Sequence, residues 1–180
     1  MKKTVLTFGL ISGVVSSLLM LLTVPFMHRI GYDKGLIVGY TGMLLSFLLV
    51  FFGIRSYREN VGGGEITFGR AFTVGILITL ISCAFYVLTW EFVYFKLMPN
   101  FWQDLTTYSI SQLKASGATQ QVIEAKAQEM AAFQKSYNNP LINVAYTFIE
   151  PFPVGLIVTV VSAAILRKRR REDLQVANAQ

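Results

Sequence analysis

Apolar residues in this chain gather into four long runs, at about residues 4–27, 35–54, 71–95 and 141–166, parted by polar stretches of unequal length. A helix needs roughly 20 residues, at about 1.5 Å each, to cross the ~30 Å hydrocarbon layer of a bilayer, and each run is long enough. The first run follows Met1-Lys2-Lys3, a start it shares with secretory signal peptides. It is longer than the roughly 7–15 apolar residues of a signal-peptide core, and Val24-Pro25-Phe26 offers no small-residue cleavage site, so it reads as a retained transmembrane helix.

The polar stretches differ in kind. Residues 30–34 make a tight hairpin between the first two spans, and 56–70 form a polar loop holding Gly62-Gly63-Gly64. Residues 96–140 are long and mostly polar, yet apolar positions recur there at helical spacing. Phe101, Leu105, Tyr108 and Gln112, with Trp102, Ile110 and Leu113 nearby, predict a helix that Gly117 stops in the left-handed conformation. Thr119 is placed to cap a second helix with a stripe of Ile123, Ala127, Met130 and Tyr137, flanked by Val122 and Phe133. Asn139-Pro140 opens the last span, proline being tolerated in a first helical turn. The predicted fold is an all-α integral membrane protein. It is one membrane domain over 1–180, with a four-helix transmembrane bundle, an extracytoplasmic helical hairpin at about 99–138 and a basic tail at 167–180. The hairpin is expected to rest its apolar faces on the membrane surface or on the mouth of the bundle; a disordered loop is the alternative.

Basic residues orient the bundle. With both ends inside, Lys2, Lys3, Arg55, Arg58, Arg70, Arg167, Lys168, Arg169, Arg170 and Arg171 are cytoplasmic. Arg29, Lys34, Lys96, Lys114, Lys126 and Lys135 are outside, ten against six, and the inner set hugs helix ends. The predicted topology therefore has both termini in the cytoplasm.

Composition agrees with a membrane location: 53% of residues are hydrophobic and 14% charged, with a mean hydropathy of +0.51. The net charge of +6 is accounted for by the positive-inside bias, and nucleic acid is not an expected partner. Cys83 and His28 are the sole cysteine and histidine, which excludes an internal disulfide and a His/Cys metal site within one chain. No cofactor is expected.

Small residues recur four apart in every span, as in Gly9-Gly13-Ser17, Gly35-Gly39, Gly42-Ser46, Gly75-Thr79-Cys83 and Gly155-Thr159-Ala163. In lipid such residues let helix backbones approach closely; the economical reading is packing within one bundle, with a homodimer seam as the alternative. One repeated triad (Thr7-Phe8-Gly9 with Thr67-Phe68-Gly69) and one repeated tetrad (Gly35-Leu36-Ile37-Val38 with Gly155-Leu156-Ile157-Val158) are too short to establish duplication. Trp90, Tyr94, Phe95 and Trp102 predict an aromatic belt at the outer interface.

Two carboxylates lie within apolar runs, Glu91 in the third and Glu150 in the fourth, where Pro151 and Pro153 interrupt the helix. A carboxylate at that depth must face the interior, pair or hold a proton. Proline also removes amide hydrogens and frees the carbonyls of Thr147 and Ile149. Glu91, Glu150, Pro151 and Pro153 are thus the candidate polar intramembrane site. The plainer reading is a proline kink with Glu150 bonded to a neighbouring Ser, Thr, Tyr or Trp, or reaching the outer interface. Gly64 to Ala71 has P-loop glycine spacing but lacks the lysine and the magnesium-binding hydroxyl, so nucleotide binding is rejected. The Arg167, Lys168, Arg169, Arg170, Arg171 run suits lipid head groups and a stop-transfer anchor alike. No nucleophile accompanies the carboxylates, so no catalytic residue is assigned and an enzyme is not expected.

One ordered set of motifs spans nearly the whole chain. It runs from Phe52-Gly53-Ile54-Arg55-Ser56-Tyr57-Arg58 through Gly64-x-Ile66-Thr67-Phe68-Gly69-x-Ala71-Phe72 to Trp90-Glu91. Leu113 to Ala118, Asn139-Pro140-Leu141 and Glu150-x-x-Pro153-Val154-Gly155 follow. This set resembles the bacterial membrane-protein family of domain of unknown function 4199. The resemblance implies a small four-span protein of the bacterial inner membrane and supplies no catalytic or ligand residues. The expected function is that of a non-enzymatic accessory or assembly subunit, meeting another membrane or periplasmic protein through the 96–140 hairpin. The alternative is a small ion-coupled transporter or channel using the intramembrane carboxylates.

Overall fold

The computed structural model describes residues 1–26 and 31–168. Predicted features at Met27, His28, Arg29 and Arg169–Arg171 lie outside the described residues. Among the described residues the regular structure is helical, apart from one isolated bridge between Ile66 and Lys168. In chain order, α1 is Lys2–Thr23, continued by a 3-10 turn at Val24–Phe26, and α2 is Tyr32–Asn60. Helix α3 is Phe68–Phe92, ending in a π-helical turn at Val93–Leu97; α4 is Phe101–Ala115 and α5 is Gln120–Tyr137. The last span is divided into α6, Pro140–Ile149, and α7, Pro151–Leu166. Four helices are long and apolar enough to cross a membrane: Lys2–Phe26, Tyr32–Asn60, Phe68–Leu97 and Pro140–Leu166. The chain is a multi-pass membrane protein.

Local chemistry explains the boundaries. Helix α2 runs past the apolar stretch to Asn60, so the first residues of the predicted 56–70 loop are helical. Arg55 and Glu59 pair there one turn apart, at 3.1 Å. The chain then turns through Gly63 and Gly64, whose φ of +63° and +88° suit glycine, while the Gly64 amide donates to the Arg58 carbonyl. The Thr67 side chain caps α3 by accepting from the Arg70 amide, and the Asn139 side chain caps α6. Gly117 ends α4 at φ +75° as predicted. Thr119 occupies the N-cap position of α5, but its side chain makes no capping hydrogen bond, a correction to the expected cap.

The second and third spans pack against each other, and the first and fourth lie in the two grooves either side of that pair. Small residues make these approaches possible. A β-carbon added at Gly13 would stand 2.6 Å from the Phe85 ring, and one at Gly75 2.8 Å from Thr159. One at Gly155 would collide with Thr79. Hydroxyls bind the same seams: Ser12 donates to the Ser46 carbonyl at 2.9 Å, Ser17 and Thr89 meet at 2.7 Å, and Thr79 and Thr159 at 3.0 Å. The small residues of α1, α3 and α7 are thus used inside the bundle.

Two packed regions result. One, at the end carrying Met1, the glycine loop and Lys168, centres on Phe47, Val50, Ile54, Val74 and Ile78. There the Ile66 and Lys168 amides donate to each other's carbonyls at 3.0 and 2.9 Å. The other, at the opposite end, joins the α4–α5 hairpin to the bundle through Tyr94, Trp102, Met130 and Tyr137. The rest of the spans' surface is apolar, as at Leu22, Ile37, Leu88 and Leu141, each more than half exposed.

Candidate functional site

Glu150 is the hinge point of the fourth span. Pro151 cannot donate an amide hydrogen, so α6 stops at Ile149 and α7 begins at Pro151. Glu150 between them keeps helical backbone angles (φ −66°, ψ −58°), and its amide still donates to the Tyr146 carbonyl at 3.3 Å. The interruption is therefore one residue wide rather than an unwound segment. The Tyr86 hydroxyl of α3 donates to Glu150 Oε2 at 3.0 Å, and Tyr40 of α2 lines the same cavity as this carboxylate. Three spans converge on one acidic group.

The carboxylate forms part of the wall of a cavity of about 300 Å³. Span one contributes Leu19 and Thr23, span two Gly39 and Tyr40, and span three Tyr86 and Trp90. The hairpin contributes Phe101, Trp102 and Tyr137. Most of this lining is apolar or aromatic. Among the described residues Glu150 is the one acidic group on the wall, and no lysine or arginine lines it.

The hairpin closes the cavity from the end of the bundle, and its attachment is specific. Trp90 Nε1 donates to the Tyr137 hydroxyl at 2.7 Å; that hydroxyl meets Thr147 at 3.2 Å, and Thr147 donates to Asn143 Oδ1 at 3.1 Å. The Tyr94 hydroxyl donates to Asn138 Oδ1 at 3.0 Å. The Trp102 ring packs 5.2 Å from that of Tyr137, and Phe101 meets Trp90 edge-on at 5.4 Å. On the far side the Tyr108 hydroxyl donates to Asp33 at the start of α2. Burial holds the Tyr137 hydroxyl above the usual tyrosine range; the bonds to Thr147 and Trp90 oppose this, and the nearby Glu150 and Glu91 reinforce it.

A family model described as "Protein of unknown function (DUF4199)" matches residues 7–168. The chain belongs to this family. No curated protein and no solved structure matches it. The DUF4199 match includes every described residue of the cavity wall and the whole of the hairpin.

Within this DUF4199 chain the predicted site residues part company. Glu150 lines the cavity and Pro151 is buried behind it, whereas Pro153 is exposed. Glu91 is not on the cavity wall; its Oε1 is buried without a hydrogen-bond partner, as is the Nδ2 of fully buried Asn143. Tyr137, on the cavity wall, is near enough to both carboxylates for each to raise its pKa. Of the basic run, Arg167 and Lys168 are described and exposed, Lys168 being tied by its backbone to Ile66. Of the aromatic residues expected to form a belt, Tyr94 and Trp102 are buried and Trp90 partly so, all within the hairpin contact, and Phe95 is exposed. Sequence reasoning missed Tyr40 and Tyr86. The available signal was a phenol well inside an apolar run, which needs a hydrogen-bond partner when buried. Among the described residues no group of three or more His, Cys, Asp or Glu is placed to hold a metal ion.

Proposed function

We propose that this is a non-enzymatic inner-membrane protein that binds an amphiphilic small molecule in the cavity roofed by the α4–α5 hairpin. In this reading both termini are cytoplasmic and the hairpin is extracytoplasmic, as the distribution of lysine and arginine suggests. The observation that carries the proposal is the cavity itself: about 300 Å³, walled by all four spans and the hairpin, mostly apolar with a few converging polar groups. That is the character of small-molecule sites, and its position between spans gives access to molecules dissolved in the bilayer. Glu150 is the intramembrane carboxylate at work in this site.

Gly39 supplies the test. It lines the cavity, and a β-carbon added there meets nothing within 4 Å. Gly39→Phe is therefore expected to fill the space while leaving the fold intact. Native mass spectrometry of the protein, released from membranes in mild detergent, should show an adduct of a few hundred daltons that G39F lacks. A wild-type protein that shows no adduct and takes up no added alkyl alcohol would sink the proposal.

A second reading, docking to another membrane or periplasmic protein through the hairpin, draws support from Val122 and Phe133, which stay exposed on α5. Crosslinkers placed at these two positions in cells would be expected to capture one recurring partner.

A further inference from the structure

Resting on that binding site, we infer that its ligand is an organic cation: an alkylammonium group on an apolar tail, with the ammonium held against Glu150 among the aromatic rings. The argument begins with charge. The Glu150 carboxyl group accepts from Tyr86 at 3.0 Å, and Tyr40 lines the cavity with it. Neutral phenols carry no counter-charge, and among the described residues the cavity wall has no lysine or arginine. A carboxylate ionised among apolar walls is costly, and an occupant that carries a positive charge would offset that cost.

The walls narrow the class further. Trp90, Trp102, Phe101, Tyr40 and Tyr86 all line the space, and aromatic faces attract ammonium groups, quaternary ones included. A bare metal ion is a poor fit. A hard cation such as calcium takes roughly 6–8 oxygen ligands, and a single carboxylate with two phenols does not supply them. The volume, about 300 Å³, is close to that of ten waters at about 30 Å³ each, enough for an ammonium head with the first carbons of its tail. The rest of the tail can leave between the spans into lipid. An anionic or zwitterionic head would bring negative charge toward Glu150 and is disfavoured.

The chain has two tryptophans, Trp90 and Trp102, and both line the cavity, so intrinsic fluorescence reports occupancy. The full-length protein in phosphatidylglycerol nanodiscs would be titrated with a bromine-labelled dodecyltrimethylammonium. A bromine-labelled dodecanol serves as the neutral probe. Saturable quenching at least tenfold tighter for the ammonium is expected. Glu150→Gln should remove that preference while dodecanol still quenches. Retained dodecanol quenching shows that the Glu150→Gln variant is folded, and Glu129→Gln, at an exposed carboxylate of α5 outside the cavity wall, should leave the preference unchanged. Equal affinity for the two probes in the wild-type protein would overturn the cation assignment and leave the amphiphile site standing. Quenching by neither probe would overturn both. Competition by a soluble alkylamine is expected, whereas equal competition by zwitterionic phosphatidylethanolamine in the nanodisc would overturn the assignment to a simple organic cation.

Discussion

Tyr86 on the third span donates its phenolic hydrogen to Glu150 at the break in the fourth, 64 residues later, across 3.0 Å. This bond joins the candidate site to the packing of the bundle, because the same turn of the fourth span carries Pro151 and leads into the Gly155 contact with Thr79 and Phe47. The seam formed by Thr79, Gly155 and Thr159 thus lies directly beneath the carboxylate in the chain. A change at either should be felt at the other.

Tyr86→Phe removes the donor to the Glu150 carboxylate. Hydrogen bonds between membrane helices contribute about 1 kcal/mol. The variant is expected to lose about that much, read as a lower unfolding midpoint in detergent. Tyr40→Phe, at a more exposed residue, should lose less. Equal and negligible losses would show that neither phenol supports Glu150.

Gly155→Ala places a methyl group against Thr79 and Phe47, where overpacking costs about 1–3 kcal/mol. Gly39→Ala meets open space and exchanges a poor helix former for the best one, a gain of up to about 1 kcal/mol. The two substitutions are chemically identical, so opposite shifts in thermal midpoint would isolate helix contact as the cause. Shifts of the same sign would contradict the packing described.

Tyr137→Phe deletes the oxygen that receives Trp90 and meets Thr147. Hydrogen exchange in α5 should quicken while exchange in α2 and α3 stays slow, since the hairpin is attached through this network and the lower bundle is not. Protection unchanged in α5 would mean that ring packing alone holds the hairpin.

The same residue sets a pH limit. Its raised pKa means the folded protein keeps the proton when an unfolded chain has begun to lose it, near pH ~10. Between the two values the native state binds more protons, so stability falls as pH rises through that window and is complete below it. Hairpin protection should therefore be flat from neutral pH to about 9 and decline above ~10. The Y137F variant should lack the tyrosine-dependent part of that decline.

The location of the polarity that matters was partly legible beforehand. Glu150-Pro151 stands out because a carboxylate and a proline are both unusual in a membrane span. The hairpin stripe of Ile123, Met130 and Tyr137 was visible because α5 is polar on its other face. Tyr40 and Tyr86 were not, because each lies in a run that is apolar all the way round. In water an amphipathic helix declares its buried face by contrast. In lipid both faces are apolar and the contrast vanishes.

By itself the amino-acid sequence determined the four spans, the glycine turns, the helical hairpin and the pair of carboxylates open to question. A chain in lipid must satisfy its backbone hydrogen bonds within each segment, so long apolar runs have one outcome. Only the tertiary structure decided that Glu150 would face Tyr40 and Tyr86 under an aromatic roof and that Glu91 would stand off the cavity wall. Those choices depend on the rotation of each helix about its axis. That rotation is set by where glycines and hydroxyls allow neighbouring spans to touch, which only the packed bundle defines.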